Sequence, residues 1–321
     1  MKRCASFLLL LLCSCSFNFS LLPPAGPYEE KVLEGEGRPK ILLVDLTGVI
    51  SFRERKGLAR KEGSKVAGLA EALRKAEKDE DIAGVIIKIN SPGGTVAASD
   101  TIHHEILRFK EKRKGVPVHA YIMEIGTSGA YYSAVAADRI VIHPAAITGS
   151  IGVLAVKLNV HGLMAKLGVQ DETYKSGGMK DFWSPFRPST AEGKAMVQGV
   201  MDRLHARFVD AVYAQRRSTM SRHGIEALAD GRIFAADEAL KAKLVDEIGY
   251  LDGAVEKMKK SLGIEQARVV TYGRSVSRVA TIYSAAPSVD ENSVGGQWDA
   301  VLDALDLLPV GEVAFMYLWN P

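Results

Sequence analysis

Unbroken apolar runs of strand length alternate along this chain with segments whose apolar residues return every three or four positions. Ile41-Leu-Leu-Val-Asp-Leu46, Ala83-Gly-Val-Ile-Ile-Lys-Ile-Asn90, Pro117–Met123 and Arg139-Ile-Val-Ile-His143 are the continuous runs. Between them Val66, Leu69 and Leu73, and then Ile102, Ile106 and Phe109, line single faces at helical spacing. Ala130–Ala137 is a small, helix-compatible run. A strand that is apolar at every position is buried on both faces, which is the mark of a parallel sheet covered by helices. The pattern therefore predicts an α/β fold with a mostly parallel sheet and surrounding helices.

Past Pro144 the alternation continues through Thr148-Gly-Ser-Ile-Gly-Val153, a short helix near His161–Leu167 and a strand at Val169–Tyr174. A long helix fits Thr190–Arg216, with Val197, Val200, Leu204 and Phe208 along one side. Gly231-Arg-Ile-Phe234 leads into a shorter helix ending near Gly249. Residues 23–38, rich in Pro, Gly and Glu, read as a linker. Residues 263–321 read as a C-terminal extension involved in assembly. In it Trp298–Leu308 has the pattern of an amphipathic helix, and Phe315-Met-Tyr-Leu-Trp319 is an apolar tip suited to docking on a partner, with covering the core as the alternative.

The composition is that of a core-forming chain: 321 residues, 47% hydrophobic and 25% charged, with 41 Lys and Arg against 38 Asp and Glu for a net +3. No long basic run occurs, so nothing points to nucleic acid. Lys2 and Arg3 precede an apolar stretch, the order of an export signal or membrane anchor over residues 1–22. Leu12-Cys-Ser-Cys15 resembles a lipobox with Cys15 as the lipidated residue; a signal anchor continuing to Leu22 is the competing reading. Cys4, Cys13 and Cys15 are the three cysteines of the chain. The body therefore carries no disulfide, no thiol nucleophile and no thiolate metal site.

Ser128 is the candidate nucleophile. It sits among small residues in Glu124-Ile-Gly-Thr-Ser-Gly-Ala-Tyr-Tyr-Ser133, between a strand and a helix-compatible run. Such a turn lifts a hydroxyl clear of the sheet and leaves backbone N–H groups free beside it. A serine needs a base, and His143, the histidine near Ser128 in sequence, lies within a strand, where a core or strand-edge role fits better. A lysine can replace histidine if burial holds its amine neutral.

Four motifs in order, Asn90-Ser-Pro-Gly-Gly94, Gly126-Thr-Ser-Gly-Ala-Tyr-Tyr132, Thr148-Gly-Ser-Ile-Gly-Val153 and Gly231-Arg-Ile-Phe-…-Gly249, resemble the signal peptide peptidase A family. This is an exported serine–lysine peptidase family with a Clp/crotonase-type fold, and the length resembles its short, single-core form. The resemblance covers roughly residues 39–262, the implied peptidase domain. It implies Ser128 as nucleophile, although Thr127 and Ala130 depart from the usual alanine and second glycine. The family's Lys-Ser-Gly-x-x-Lys-Asp segment reads Lys175-Ser-Gly-Gly-Met-Lys180-Asp181 here, which carries the base to Lys180, with Lys175 as competitor.

The expected oxyanion donors are the N–H groups of Gly94 and Gly129, with Ser150 orienting the lysine. The resemblance further implies a homo-oligomer with active sites at subunit interfaces, membrane association, no cofactor or metal, and substrates that are residual signal peptides and other hydrophobic peptides. An acyl-CoA enzyme of the crotonase type and a non-catalytic exported scaffold are the alternatives.

Overall fold

The computed structural model describes residues 28–53, 55–56, 61–62, 64–274, 281–282 and 315–319. The segment expected to be an export signal or anchor, Cys15 and the helix expected at Trp298–Leu308 lie outside the described residues. Along the chain run β1 (Tyr28–Glu34), β2 (Lys40–Thr47), β3 (Arg55–Lys56), β4 (Lys61–Glu62), α1 (Lys65–Lys78), β5 (Ile82–Ser91), β6 (Gly93–Thr95) and α2 (Val96–Lys112). Then follow β7 (Val118–Thr127), α3 (Gly129–Ala134), β8 (Arg139–Ile142), β9 (Ile147–Gly149), α4 (His161–Lys166), α5 (Ala191–Arg216) and α6 (Arg222–Glu226). The last elements are β10 (Ile233–Ala235), α7 (Ala236–Lys241), β11 (Glu247–Ile248), α8 (Leu251–Ser261), β12 (Arg268–Arg274) and β13 (Met316–Leu318).

The main sheet has the order β1-β12-β2-β5-β7-β8-β11, with β9 beside the end of β7 and β10 beside β9. The pairs from β12 to β11 are parallel, whereas β1–β12 and β10–β9 are antiparallel. The sheet is thus mixed, with a parallel centre. Its apolar runs divide between two cores by strict alternation. Leu42, Val44 and Leu46 of β2, with Val85, Ile87 and Ile89 of β5, pack under α1, α2 and α3. Ile41, Leu43 and Ile86 face the other way, onto Val255 and Met258 of α8. Arg113 closes α1 at its end, donating to the carbonyls of Ala76, Glu77 and Asp79 and also to that of Ile82.

Two expectations need correction. The stretch read as a linker contains β1, which pairs along β12; an edge strand needs few apolar residues, and Tyr-Glu-Glu-Lys-Val-Leu-Glu hides it. The strand expected at Val169–Tyr174 is not formed: Val169 is 51% and Tyr174 92% exposed, with no sheet beside them. From Gly152 to Glu192 no residue is buried. This excursion interrupts the α/β core, which resumes in α5.

Candidate active site

β7 ends at Thr127, α3 starts at Gly129, and Ser128 between them has φ 53° and ψ −119°. A non-glycine residue at positive φ is strained by about 1–3 kcal/mol, and the surroundings must impose it. They do so through hydrogen bonds on both sides. Ser128 N–H donates to Gly149 O at 2.8 Å, tying the turn to β9, while Tyr132 N–H donates to Ser128 O at 2.8 Å. The flanking glycines are dictated by space. A Cβ on Gly126 would lie 2.7 Å from the Ile122 side chain, and one on Gly129 only 2.3 Å from Ser99 Oγ. The Ser128 side chain does not cap α3, so its hydroxyl is not spent on the helix amides.

The Ser91-Pro-Gly-Gly turn meets this elbow. Gly94 N lies 3.2 Å from where a Gly129 Cβ would sit, and Gly129 N lies 2.8 Å from where a Gly93 Cβ would sit. Glycine is required for so close an approach, because a Cβ on Gly94 would fall 1.9 Å from Ile50 O. Ser128, Gly94 and Gly129, read from separate motifs, are thereby brought together. Ser150 joins them through its neighbour Gly149; it is buried, has φ 52°, and its N–H donates to Arg232 O.

Lys180 is placed elsewhere. It lies in the exposed excursion, its Nζ has no hydrogen-bond or ion-pair partner among the described residues, and the protomer does not pair it with Ser128, which is 1% exposed. Lys175 is committed: its Nζ donates to Asp181 Oδ1 at 2.8 Å and Gly178 O at 2.9 Å, and Arg187 also pairs with Asp181. Lys157, unremarked in the sequence, donates to Ser189 Oγ; burial and then the nearby Arg187 lower its pKa. Lys88 is buried on the α8 face, where it pairs with Asp45 at 2.9 Å. His143 sits at the end of β8, where its Nδ1 accepts from Ala145 N–H.

The aromatic side of the site escaped the sequence reading. Tyr132 donates to Asp100 Oδ1 at 2.6 Å, and Arg207 grips the same carboxylate. Burial above all, and then Asp100, raises the Tyr132 phenol well beyond its ordinary pKa, so it remains a donor. His103, 5.0 Å from the Tyr132 ring, is pushed down to about 4 by burial. The signal was present: Tyr132 belongs to the serine motif, and Phe208 closes the apolar side of α5.

The Peptidase family S49 profile matches residues 110–265. The chain is 35% identical to a putative signal peptide peptidase SppA of Enterococcus faecium, covering 79% of this chain and 72% of that protein. It is 32% identical to a putative protease of Synechocystis sp. (72% and 78% covered) and 30% identical to the chloroplastic serine protease SPPA of Arabidopsis thaliana (73% and 34%). Among solved structures, a mutant ClpP1 from Listeria monocytogenes is a distant likeness at TM-score 0.42 and 17% identity, covering 66% of this chain and 93% of that one. The acyl-CoA and scaffold readings fall away, because the chain belongs to Peptidase family S49 and is a serine protease.

Proposed function

We propose that the protein is a membrane-associated, exported endopeptidase of Clp/crotonase-like build that works through a Ser128–Lys180 dyad and cleaves residual signal peptides and other hydrophobic peptides. The observation that carries this reading is the strained Ser128 turn, with the amides of Gly94 and Gly129 beside it. Ser128 Oγ attacks the peptide carbonyl as a neutral amine takes its proton, and the two amides hold the oxyanion where it forms. The amine then protonates the leaving nitrogen, and water hydrolyses the acyl-enzyme.

Lys180 is the unpaired amine of its motif, and it is exposed in the lone protomer. A neutral lysine requires burial, which a second copy of the chain supplies. The apolar surface of the excursion supports that assembly. Leu158, Leu163, Leu167, Val169, Tyr174 and Phe186 of the excursion, with Met196 just beyond it in α5, are all 40% or more exposed. Ser150 orients the incoming lysine. No helix among the described residues is long and apolar enough to cross a membrane, so attachment rests on residues 1–22, with Cys15 as the lipidation site.

Mixing tests the arrangement. Ser128→Ala and Lys180→Ala proteins, each inactive on casein and unreactive to a fluorophosphonate, should regain activity when dissociated and reassembled together. Recovery fails if the dyad lies within one protomer. A Lys180→Ala protein as active as wild type removes the lysine from the mechanism, and Lys157→Ala and Lys175→Ala serve as controls.

A further inference from the structure

The helix that follows the elbow is too short to hold its own shape. α3 has six residues, less than two turns, and isolated helices of that length do not persist in water. Yet it carries one of the bonds that restrain Ser128: Tyr132 N–H donates to the Ser128 carbonyl, while the Ser128 N–H is held by Gly149 O of β9. β9 is fixed by backbone ladders to β7 and β10, whereas α3 has to be held by its side chains.

Two tyrosine hydroxyls hold it from different directions. Tyr131 donates to Leu244 O at 2.7 Å and Tyr132 to Asp100 Oδ1 at 2.6 Å. Leu244 offers a backbone carbonyl, but Asp100 is a side chain of α2 that is clamped in turn. Arg207 of α5 donates to it twice, from Nε and Nη2, both at 2.9 Å. An ion pair whose arginine is 59% exposed adds little to stability by itself, so the two-pronged grip matters for what it holds. The Tyr132 ring is enclosed by His103 at 5.0 Å, by Phe208 edge-on at 5.0 Å and by Tyr317 stacked at 5.2 Å. Tyr317 belongs to the tip expected to dock on a partner, which instead covers its own protomer: β13 pairs with β6, and Met316 with Leu154 across the other edge. Its hydroxyl donates to Leu204 O, and its ring lies 4.7 Å from Phe208.

We propose that Asp100 is a positioning residue for the nucleophile: clamped by Arg207, it holds the Tyr132 phenol and, through it, the amide that fixes the Ser128 carbonyl. Ser128 Oγ is thereby kept aimed beside the Gly94 and Gly129 amides. The inference rests on Ser128 being the nucleophile. Without the clamp the elbow stays folded, because the Gly149 bond and the ring packing remain, but Ser128 visits unproductive orientations. A reacting atom misplaced by about 1 Å costs on the order of a hundredfold in rate, and a partly loosened one costs about tenfold. That loss falls on kcat and on the reactivity of the hydroxyl rather than on substrate binding.

The test uses the full-length assembled protein, with kcat and KM read on labelled casein and the hydroxyl's reactivity read as the rate of fluorophosphonate labelling. Tyr132→Phe and Asp100→Ala should each lower kcat and the labelling rate about tenfold and leave KM within about twofold. The double variant should lose no more than either single one, because both remove the same link. Stability should behave differently. Asp100→Ala leaves a buried hydroxyl unpaired and should melt below wild type, and adding Tyr132→Phe should restore part of that melting temperature without restoring kcat. Arg207→Ala should lose about fivefold in kcat, and Arg207→Lys should recover part of the loss, since it keeps the charge without the two-pronged grip. Labelling of Tyr132→Phe at the wild-type rate, losses that multiply in the double variant, or losses that appear in KM or follow the melting temperature overturn the inference. Failure of the underlying reading looks different: Ser128→Ala would be labelled as fast as wild type.

Discussion

The Ser128 elbow and the excursion from Gly152 to Glu192 are opposites in construction. At the elbow every residue from Thr127 to Ala134 is buried, and glycines stand where a Cβ would collide with backbone or side chain. The excursion buries nothing, yet it carries Lys180. On the proposed dyad, one half of the chemistry is fixed by the protomer's own core and the other is left for assembly to fix. Strain can be held only where packing over-determines the backbone, whereas an amine that must lose its charge can wait for a partner to bury it.

Substitutions at the two regions should separate activity from stability. Ser128→Ala and Lys180→Ala should each lower kcat by about 10⁴-fold or more. Lys180→Ala should leave the melting temperature of the dissociated protomer unchanged, since Nζ has no hydrogen-bond or ion-pair partner there among the described residues. If that protomer melts markedly lower, the excursion is better supported than its exposure indicates. Gly94→Ala should damage both properties, with a loss of about 10²–10³ in kcat and about 2–3 kcal/mol of stability, because its Cβ meets Ile50 O. A variant that loses activity alone would mean the turn can yield.

The buried side offers a pH test. His103 titrates at about 4 when folded, against 6.5 for the free side chain. Burial is the main cause, opposed by Asp100 and assisted by Arg207, Lys110 and His104. The unfolded chain binds the extra proton first, so this contribution is complete above pH 6.5 and disappears as pH falls towards 4. Denaturant melts should show a loss on the order of 2 kcal/mol across that window, and His103→Phe should flatten it. The smallest effect is expected at Ser128→Gly, which relieves the positive φ. It should gain about 1 kcal/mol while abolishing activity, and no gain would mean the elbow is not strained.

The legible parts were those whose cause is local. β2, β5 and β8 announced themselves because a strand buried on both faces tolerates few polar positions, and then only paired, as Lys88 is with Asp45. The helix over Thr190–Arg216 carried its own start, with Thr190 Oγ1 accepting from Gly193 N–H. Ser128, Gly94 and Gly129 were readable because strain and close approach restrict residue type. The rest depends on distant neighbours. Val169 and Tyr174 look like strand residues but have no sheet in the protomer, and β1 is polar because it lies at an edge. Tyr317 was visible as part of an apolar tip, but nothing near it in sequence names Tyr132, Phe208 and Leu204 as its pocket.

β13 lies in a clasp, paired with β6 on one side and with Leu154 on the other. A slot one backbone wide, with hydrogen-bonding edges at Gly93–Thr95 on one wall and Leu154 on the other, admits only chain that has surrendered its own secondary structure. A folded protein would pass untouched, and a helical segment would have to unwind before it could enter.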